Sequence, residues 1–227
     1  YGYLANEAYF AAEGSYDFAD ETWGPQDIRI VLGKPTSNAI AVAGDAGIKT
    51  VYDLKGKRLG YVKGNPSVNV KHDAYLAFAG LTRADVEVVW FGSYSAMTTA
   101  LLANQIDGFS SVTTSANMRE IEASPRGLTF AQVPPDDVEG WKKLTSVIDF
   151  VKPYRETKGA GLSAENPADM VELRYPMITV YPKDISADDA YQFVMAADMA
   201  FDDYKEATST GEFWAINLSG RPPADAP

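Results

Sequence analysis

Between Arg58 and Val133 the chain repeats one pattern three times: a short apolar run, a break rich in glycine and hydroxyl residues, then apolar residues at helical spacing. Arg58-Leu59-Gly60-Tyr61-Val62 is broken by Gly64-Asn65-Pro66-Ser67. A helical stretch with Val68, Tyr75, Leu76 and Phe78 follows and stops at Gly80. Val86 to Phe91 reads as a second strand, and Ser95 is placed to cap a helix containing Met97, Leu101 and Leu102. Ile106 to Val112 reads as a third strand, a helix through Met118 and Ile121 follows, and Leu128 to Val133 reads as a fourth. Strands separated by helices cannot close as hairpins. They need crossovers, and the expected result is an α/β fold with a mostly parallel sheet covered by helices.

The flanks are less regular. Tyr1-Gly2-Tyr3-Leu4-Ala5-Asn6 reads as the end of a strand, and Tyr9, Phe10 and Ala12 as a helix ending at Gly14. Ile28–Leu32 and Ala39–Ala43 are expected as a pair of strands, with Gly33, Pro35 and Ser37 making the connection. Beyond residue 146, Val147–Val151 and Tyr175–Tyr181 are expected strands, and 156–167 an expected loop. Ser186 with Asp189 forms a variant capping box. It opens a helix whose apolar face is Ala190, Phe193, Val194, Ala197, Phe201 and Tyr204.

Composition narrows the chemistry. The 227 residues hold 20 basic and 31 acidic side chains, a formal charge of −11, which opposes binding to nucleic acid or anionic lipid. Cysteine is absent, which removes thiol nucleophiles, disulfides and thiolate metal sites. The single histidine, His72, lies inside a helical stretch with no Gly-x-Ser-x-Gly elbow anywhere, so a surface or helix-packing role is expected rather than catalysis. Neither the Walker loop nor Gly-x-Gly-x-x-Gly occurs. Paired carboxylates such as Asp188-Asp189 read as solvated helix positions. No catalytic residue, metal ligand or cofactor is expected.

Binding is the better reading. Three breaks carry hydroxyls, amides or aromatics where a strand gives way to a helix: 64–69, 91–95 and 110–115. Ligands of open α/β sheets sit beyond the carboxyl ends of strands, where helix N-termini offer unpaired amides to an anion.

At these residues the chain resembles a known family. Ile48-Lys49-Thr50-Val51-Tyr52-Asp53-Leu54-Lys55-Gly56-Lys57-Arg58-Leu59-Gly60 looks like the crossover into the second lobe of periplasmic solute-binding proteins of type II. Ala79-Gly80-Leu81-Thr82, Ile106-Asp107-Gly108-Phe109 and Glu122-Ala123-Ser124-Pro125-Arg126-Gly127-Leu128 resemble its TAXI branch, the receptors of TRAP transporters.

That resemblance implies two α/β lobes joined by hinge strands, lobe one from 1–55 plus 174–227 and lobe two from 56–173. Its first strand-helix unit is expected to be missing, since Tyr1 falls where the family's second strand should be. It further implies a periplasmic receptor, its signal peptide removed or outside the chain. The receptor would capture a small organic acid and deliver it, as a monomer, to TRAP-type permease subunits. A ligand-sensing domain of the same fold in a signalling protein is the alternative. Carried over turn by turn, the implied ligand-binding residues are Asn6 and Glu7 after the first strand, Asn65, Ser67, Val68 and Asn69 in the first turn, Tyr94 and Ser95 in the second, Thr113 and Thr114 in the third, and Tyr175 on the returning strand. Trp90 and Phe91 are expected to line the cleft or fill the lobe core. Lys152, Arg155 and Lys158 are expected as solvated charges or partners of a second ligand carboxylate.

Overall fold

The structure, a computed structural model, describes residues 2–207. It is an α/β protein with a mixed sheet flanked by helices. The chain folds as two compact units, one from both of its ends (up to Thr36 and from Arg174 on) and one from Ser37 to Leu173. It passes from one to the other inside β2 (Arg29–Ala43) and inside β8 (Ala168–Val180).

The Ser37–Leu173 unit holds the alternating region. Its elements are β3 (Arg58–Val62), α2 (Pro66–Phe78), β4 (Glu87–Phe91), α3 (Tyr94–Leu102), β5 (Gly108–Val112), α4 (Ala116–Glu122) and β6 (Leu128–Ala131). The sheet runs β6-β2-β5-β3-β4. β3 is parallel to β4 from Arg58↔Glu87 to Val62↔Phe91, and parallel to β5 at Leu59↔Gly108. β2 is antiparallel to β5 (Asn38↔Val112 to Val42↔Gly108) and to β6 (Ile40↔Ala131 to Ala43↔Leu128). The parallel part is therefore β4-β3-β5, and the sheet as a whole is mixed. The run Ala39–Ala43 is buried throughout, and a strand covered on both faces shows the same apolar pattern whichever way it runs.

Period-two alternation sorts that run between two helical layers. Ala39, Ala41 and Ala43 join Met97 and Leu101 of α3, Met118 and Ile121 of α4, and Phe109 and Phe130 in one core. Asn38, Ile40 and Val42 share the other face, where Tyr75 of α2 reaches Asn38. α2 is backed there by α5 (Val138–Thr145), whose Trp141 meets Phe78 edge-on at 5.8 Å. Gly140 lets the two helices approach: a Cβ there would lie 2.6 Å from the Phe78 ring. α5 has no counterpart among the expected elements, since eight residues after Pro134-Pro135 carry only two turns of periodicity.

Two strand expectations change. The expected pair at 28–32 and 39–43 is the single 15-residue strand β2, running straight through Gly33, Pro35 and Ser37. Proline's fixed φ fits an extended chain, so pairing of Asn38–Val42 with β5 and of Ile40–Ala43 with β6 overrides the turn signal. The expected strand at 147–151 is β7 (Val151–Glu156) instead. Its inner positions 152–155 are exposed, so no apolar run marks it. It forms as the ladder partner of β8, from Val151↔Leu173 to Glu156↔Ala168.

In the other unit β1 (Gly2–Leu4) pairs antiparallel with β8, Gly2↔Thr179 to Leu4↔Met177. α1 (Glu7–Glu13) buries Ala8, Tyr9, Phe10 and Ala11 and stops at Gly14, whose φ of 67° is left-handed. Ser186 caps α6 (Ala187–Met199), accepting from the Asp189 N–H at 3.0 Å and donating to the Asp189 carboxylate at 2.7 Å. The apolar face lies where periodicity places it and is half-buried. The helix breaks at Ala200 and resumes as α7 (Phe201–Tyr204).

Candidate functional site

β4, β3 and β5 lie side by side and parallel, so the three turns that follow them open at one edge of the sheet, each running into a helix. Parallel strands end on the same side by construction, and this brings 63–69, 92–95 and 113–115 together.

In the first turn Asn65 caps α2, its side-chain oxygen accepting from the Val68 N–H at 3.1 Å, with Pro66 at the first helical position. Ser67 is buried and Val68 half-buried. Asn69 is turned inward and grips the end of β3 like a strand partner. Its oxygen accepts from the Val62 N–H at 3.0 Å and its amide donates to the Val62 carbonyl at 2.7 Å.

In the second turn the cap is Ser93, not Ser95: the Ser93 hydroxyl accepts from the Ala96 N–H at 3.3 Å. Ser95 lies inside the first turn of α3, exposed, with its hydroxyl 3.2 Å from that of Ser93. Both serines satisfy the sequence rule, and only the extended backbone of Ser93 (φ −154°, ψ 160°) suits a cap. Ser93→Ala is expected to lower the unfolding free energy by about 1 kcal/mol and Ser95→Ala to leave it within about 0.5 kcal/mol, read by urea denaturation. The Tyr94 hydroxyl reaches over to β5, donating to the Ser111 hydroxyl and lying 3.3 Å from the Ser110 carbonyl.

In the third turn Thr113 is buried, 3.1 Å from the Ser37 hydroxyl, while Thr114 is half-buried. The Asn117 amide on α4 donates to Thr98 of α3 at 2.8 Å and ties the second and third helices together. Asn6, buried at the N-cap of α1, and Glu7, the first residue of that helix, belong to the other unit. Tyr175 lies in β8 by its backbone, and its side chain falls outside the described residues. Trp90 is 44% exposed, its ring 5.5 Å from Tyr61 with the Arg83 guanidinium 5.8 Å away. Lys152 and Arg155 pair across the β7–β8 ladder with Glu172 at 2.8 Å and Asp169 at 3.0 Å.

Beneath the turns lies a buried polar network that sequence reasoning missed. Asn38 accepts from the Tyr75 hydroxyl at 2.7 Å and the Ser110 hydroxyl at 3.0 Å, and donates to the Ser111 carbonyl at 2.8 Å. Beside it the Ser110 N–H donates to His72 Nε2 at 2.9 Å, so the ring proton sits on Nδ1, 3.3 Å from the Val68 carbonyl. The imidazole thus serves β5 where its ladder with β3 is a single pair, and it stacks on Tyr61 at 4.5 Å. Burial pushes its pKa down to about 4, and the Val68 carbonyl opposes this more weakly. Both ring nitrogens are engaged by main chain. The available signal was polar residues inside apolar strands: Asn38 before Ala39–Ala43, and Ser110-Ser111 within Gly108–Val112.

Among solved structures, the chain is similar to the periplasmic sulfonate-binding protein SsuA of Methylobacillus flagellatus, at 16% identity over 84% of this chain and 49% of that one, with a TM-score of 0.44. It is similar to the alkanesulfonate-binding protein SsuA of Xanthomonas axonopodis bound to MOPS, at 17% identity over 87% and 57%, with a TM-score of 0.45. It is also similar to holo ArgBP of T. maritima, at 16% identity over 71% and 52%, with a TM-score of 0.39. The chain spans about half the length of these proteins. No curated protein sequence matches it. No helix among the described residues is long and apolar enough to cross a membrane. The family model that matches spans residues 28–149, more than half of the chain and all three turns, and it is a different family from the TAXI branch that the segments around 48–60 and 122–128 resemble. By that match the chain belongs to the NMT1/THI5-like family.

Proposed function

We propose that this protein is an extracytoplasmic solute-binding receptor, not an enzyme, and that it captures a small organic acid at the carboxyl ends of β3, β4 and β5. The observation that supports this most directly is the convergence of three strand-to-helix turns on neighbouring parallel strands. Helix N-termini at such an edge offer amides and a positive dipole end to an anion, and the −11 charge of the whole chain does not cancel that local field. Ser67, Ser95 and Thr114 add hydroxyls at the same edge, and the division of the chain into two compact units supports a two-lobed reading.

The receptor acts as a monomer and hands its cargo to a membrane permease. The TAXI resemblance points to a TRAP-type permease, whereas the sulfonate-binding protein of M. flagellatus is named for an ABC transporter; co-purification with each permease class separates the two. The ligand test is a thermal-shift panel of L-glutamate, succinate, benzoate and ethanesulfonate. A ligand at about 100 times its Kd adds about 2.7 kcal/mol, an expected rise in Tm of about 5–10 °C. If ethanesulfonate alone raises Tm, the ligand is an anion but not a carboxylate. If no acid raises it, the proposal fails.

A further inference from the structure

Glu156 ends β7 with its side chain buried, and two routes lead from its carboxylate to the third turn. Along the first route, Oε2 accepts the Ser37 hydroxyl at 2.5 Å. Ser37 has a single hydroxyl proton, so its 3.1 Å bond to Thr113 must run from the Thr113 hydroxyl to the Ser37 oxygen. The second route begins at Oε1, which accepts the backbone N–H groups of Thr157 and Lys158, each at 2.9 Å. Those two bonds fold the chain back, so that the Ala160 N–H donates to the Thr113 carbonyl at 3.2 Å. Gly159, at φ 122°, lies against Thr113 so closely that a Cβ there would be 2.7 Å from the threonine Cβ. The Gly161 N–H is anchored 2.8 Å from Glu122 on α4.

Thr113 is held at its hydroxyl and at its carbonyl, and both grips start from one carboxylate contributed 43 residues later in the chain. Thr114, the next residue, is half-buried and makes no side-chain hydrogen bond among the described residues. We propose that Glu156 is a positioning residue of the ligand site. Through Ser37 on one side and Gly159-Ala160 on the other, it sets the Thr113-Thr114 turn in the geometry in which Thr114 meets an anion. The inference rests on the solute-binding reading above, and it divides the two threonines: Thr113 anchors the turn and Thr114 contacts the ligand.

Glu156→Gln keeps the size of the side chain but reverses one bond. Its single oxygen takes the two backbone amides and its NH2 faces Ser37, so Ser37 donates to Thr113 instead of accepting from it. Calorimetric titration of L-glutamate and ethanesulfonate into the wild type, Glu156→Gln, Thr114→Val and the double variant provides the test. Each single change is expected to weaken binding about tenfold, and the double variant also by about tenfold, because the two residues act as one unit. Wild-type affinity in Glu156→Gln overturns the proposal, and so does a double variant weakened about a hundredfold, the product of independent effects. Hydrogen exchange needs no ligand: the Thr114 and Ser115 amides are expected to exchange about tenfold faster in Glu156→Gln, with β4 unchanged. If no acid of the thermal-shift panel binds the wild type, the anion reading fails by itself. The exchange rates then still decide whether Glu156 holds the turn, and unchanged rates overturn it.

Discussion

Taking the protein from pH 7 to pH 4 is expected to lower its unfolding free energy by about 3 kcal/mol through His72 alone. The imidazole is buried between α2 and β5, stacked on Tyr61, and accepts the Ser110 N–H at Nε2. Burial takes its pKa from 6.5 down to about 4. In the unfolded chain it takes up a proton as the pH falls through 6.5, whereas in the folded protein it stays neutral until about pH 4. Between these values the unfolded state binds more protons, so stability rises with pH. His72 therefore contributes fully above pH 6.5, and its contribution is lost as the pH falls through the folded value near 4. Carboxylates that their partners hold low, such as Asp45 beside Arg126, Asp53 under the Thr50 and Lys49 amides and Glu122 beside Arg119, begin to lose their share as the pH nears their ordinary values of 3.8 for aspartate and 4.5 for glutamate. The two windows overlap only below about pH 5, so the upper part of the range reports His72. Urea denaturation at pH 7, 6 and 5 should show a loss of about 2 kcal/mol in the wild type and not in His72→Gln, which has no group titrating at that position. An equal slope in the variant would assign the effect elsewhere.

Asn38→Ala should cost more than its size suggests, about 3–5 kcal/mol, because it leaves three buried partners without it. The Tyr75 hydroxyl, the Ser110 hydroxyl and the Ser111 carbonyl all bond to this one amide, and all belong to buried residues. Losing a hydrogen bond costs about 1 kcal/mol net, whereas a donor or acceptor stranded away from water costs about 1–3 kcal/mol. Removing Tyr75's hydroxyl as well takes away one stranded donor. The double variant Asn38→Ala/Tyr75→Phe is thus expected to be less destabilised than the sum of the two single changes, by about 1 kcal/mol. Strict additivity in equilibrium unfolding would show that the tyrosine finds another partner and that the network is not cooperative.

These two residues mark the limit of what local sequence reveals. The run Gly108-Phe109-Ser110-Ser111-Val112 is legible as a strand, and its neighbours as the strands and helices of an α/β protein, because apolar spacing depends only on which side of an element faces the core. Ser186 is legible as a cap because a cap is satisfied within three residues, whereas the cap of α2 is Asn65, which the sequence offered only as a turn residue. His72 and Asn38 are not legible in this way. Their partners lie 38 and 72 residues away at Ser110, and nothing local to either residue tells a satisfied buried polar group from an exposed one. The same holds for Ser95 and Ser93, which backbone angles two residues apart decide.

The three strand-to-helix turns are legible in the alternation between Arg58 and Val133, since strand-helix-strand units favour parallel crossovers, and parallel pairing of β3 with β4 and β5 puts the turns on one edge. Tertiary structure decided the rest. β2 runs unbroken through residues that locally signal a turn, because antiparallel pairing with β5 and β6 from Asn38 on outweighs a missing N–H. β7 exists only as the partner of β8. Of the two threonines in the third turn, Thr113 faces inward because a serine and a glutamate, brought from opposite directions along the chain, meet it there. Periodicity is a property of one element and can be read from its residues. A hydrogen bond between elements is a property of their packing, and it exists only once the sheet has set them side by side.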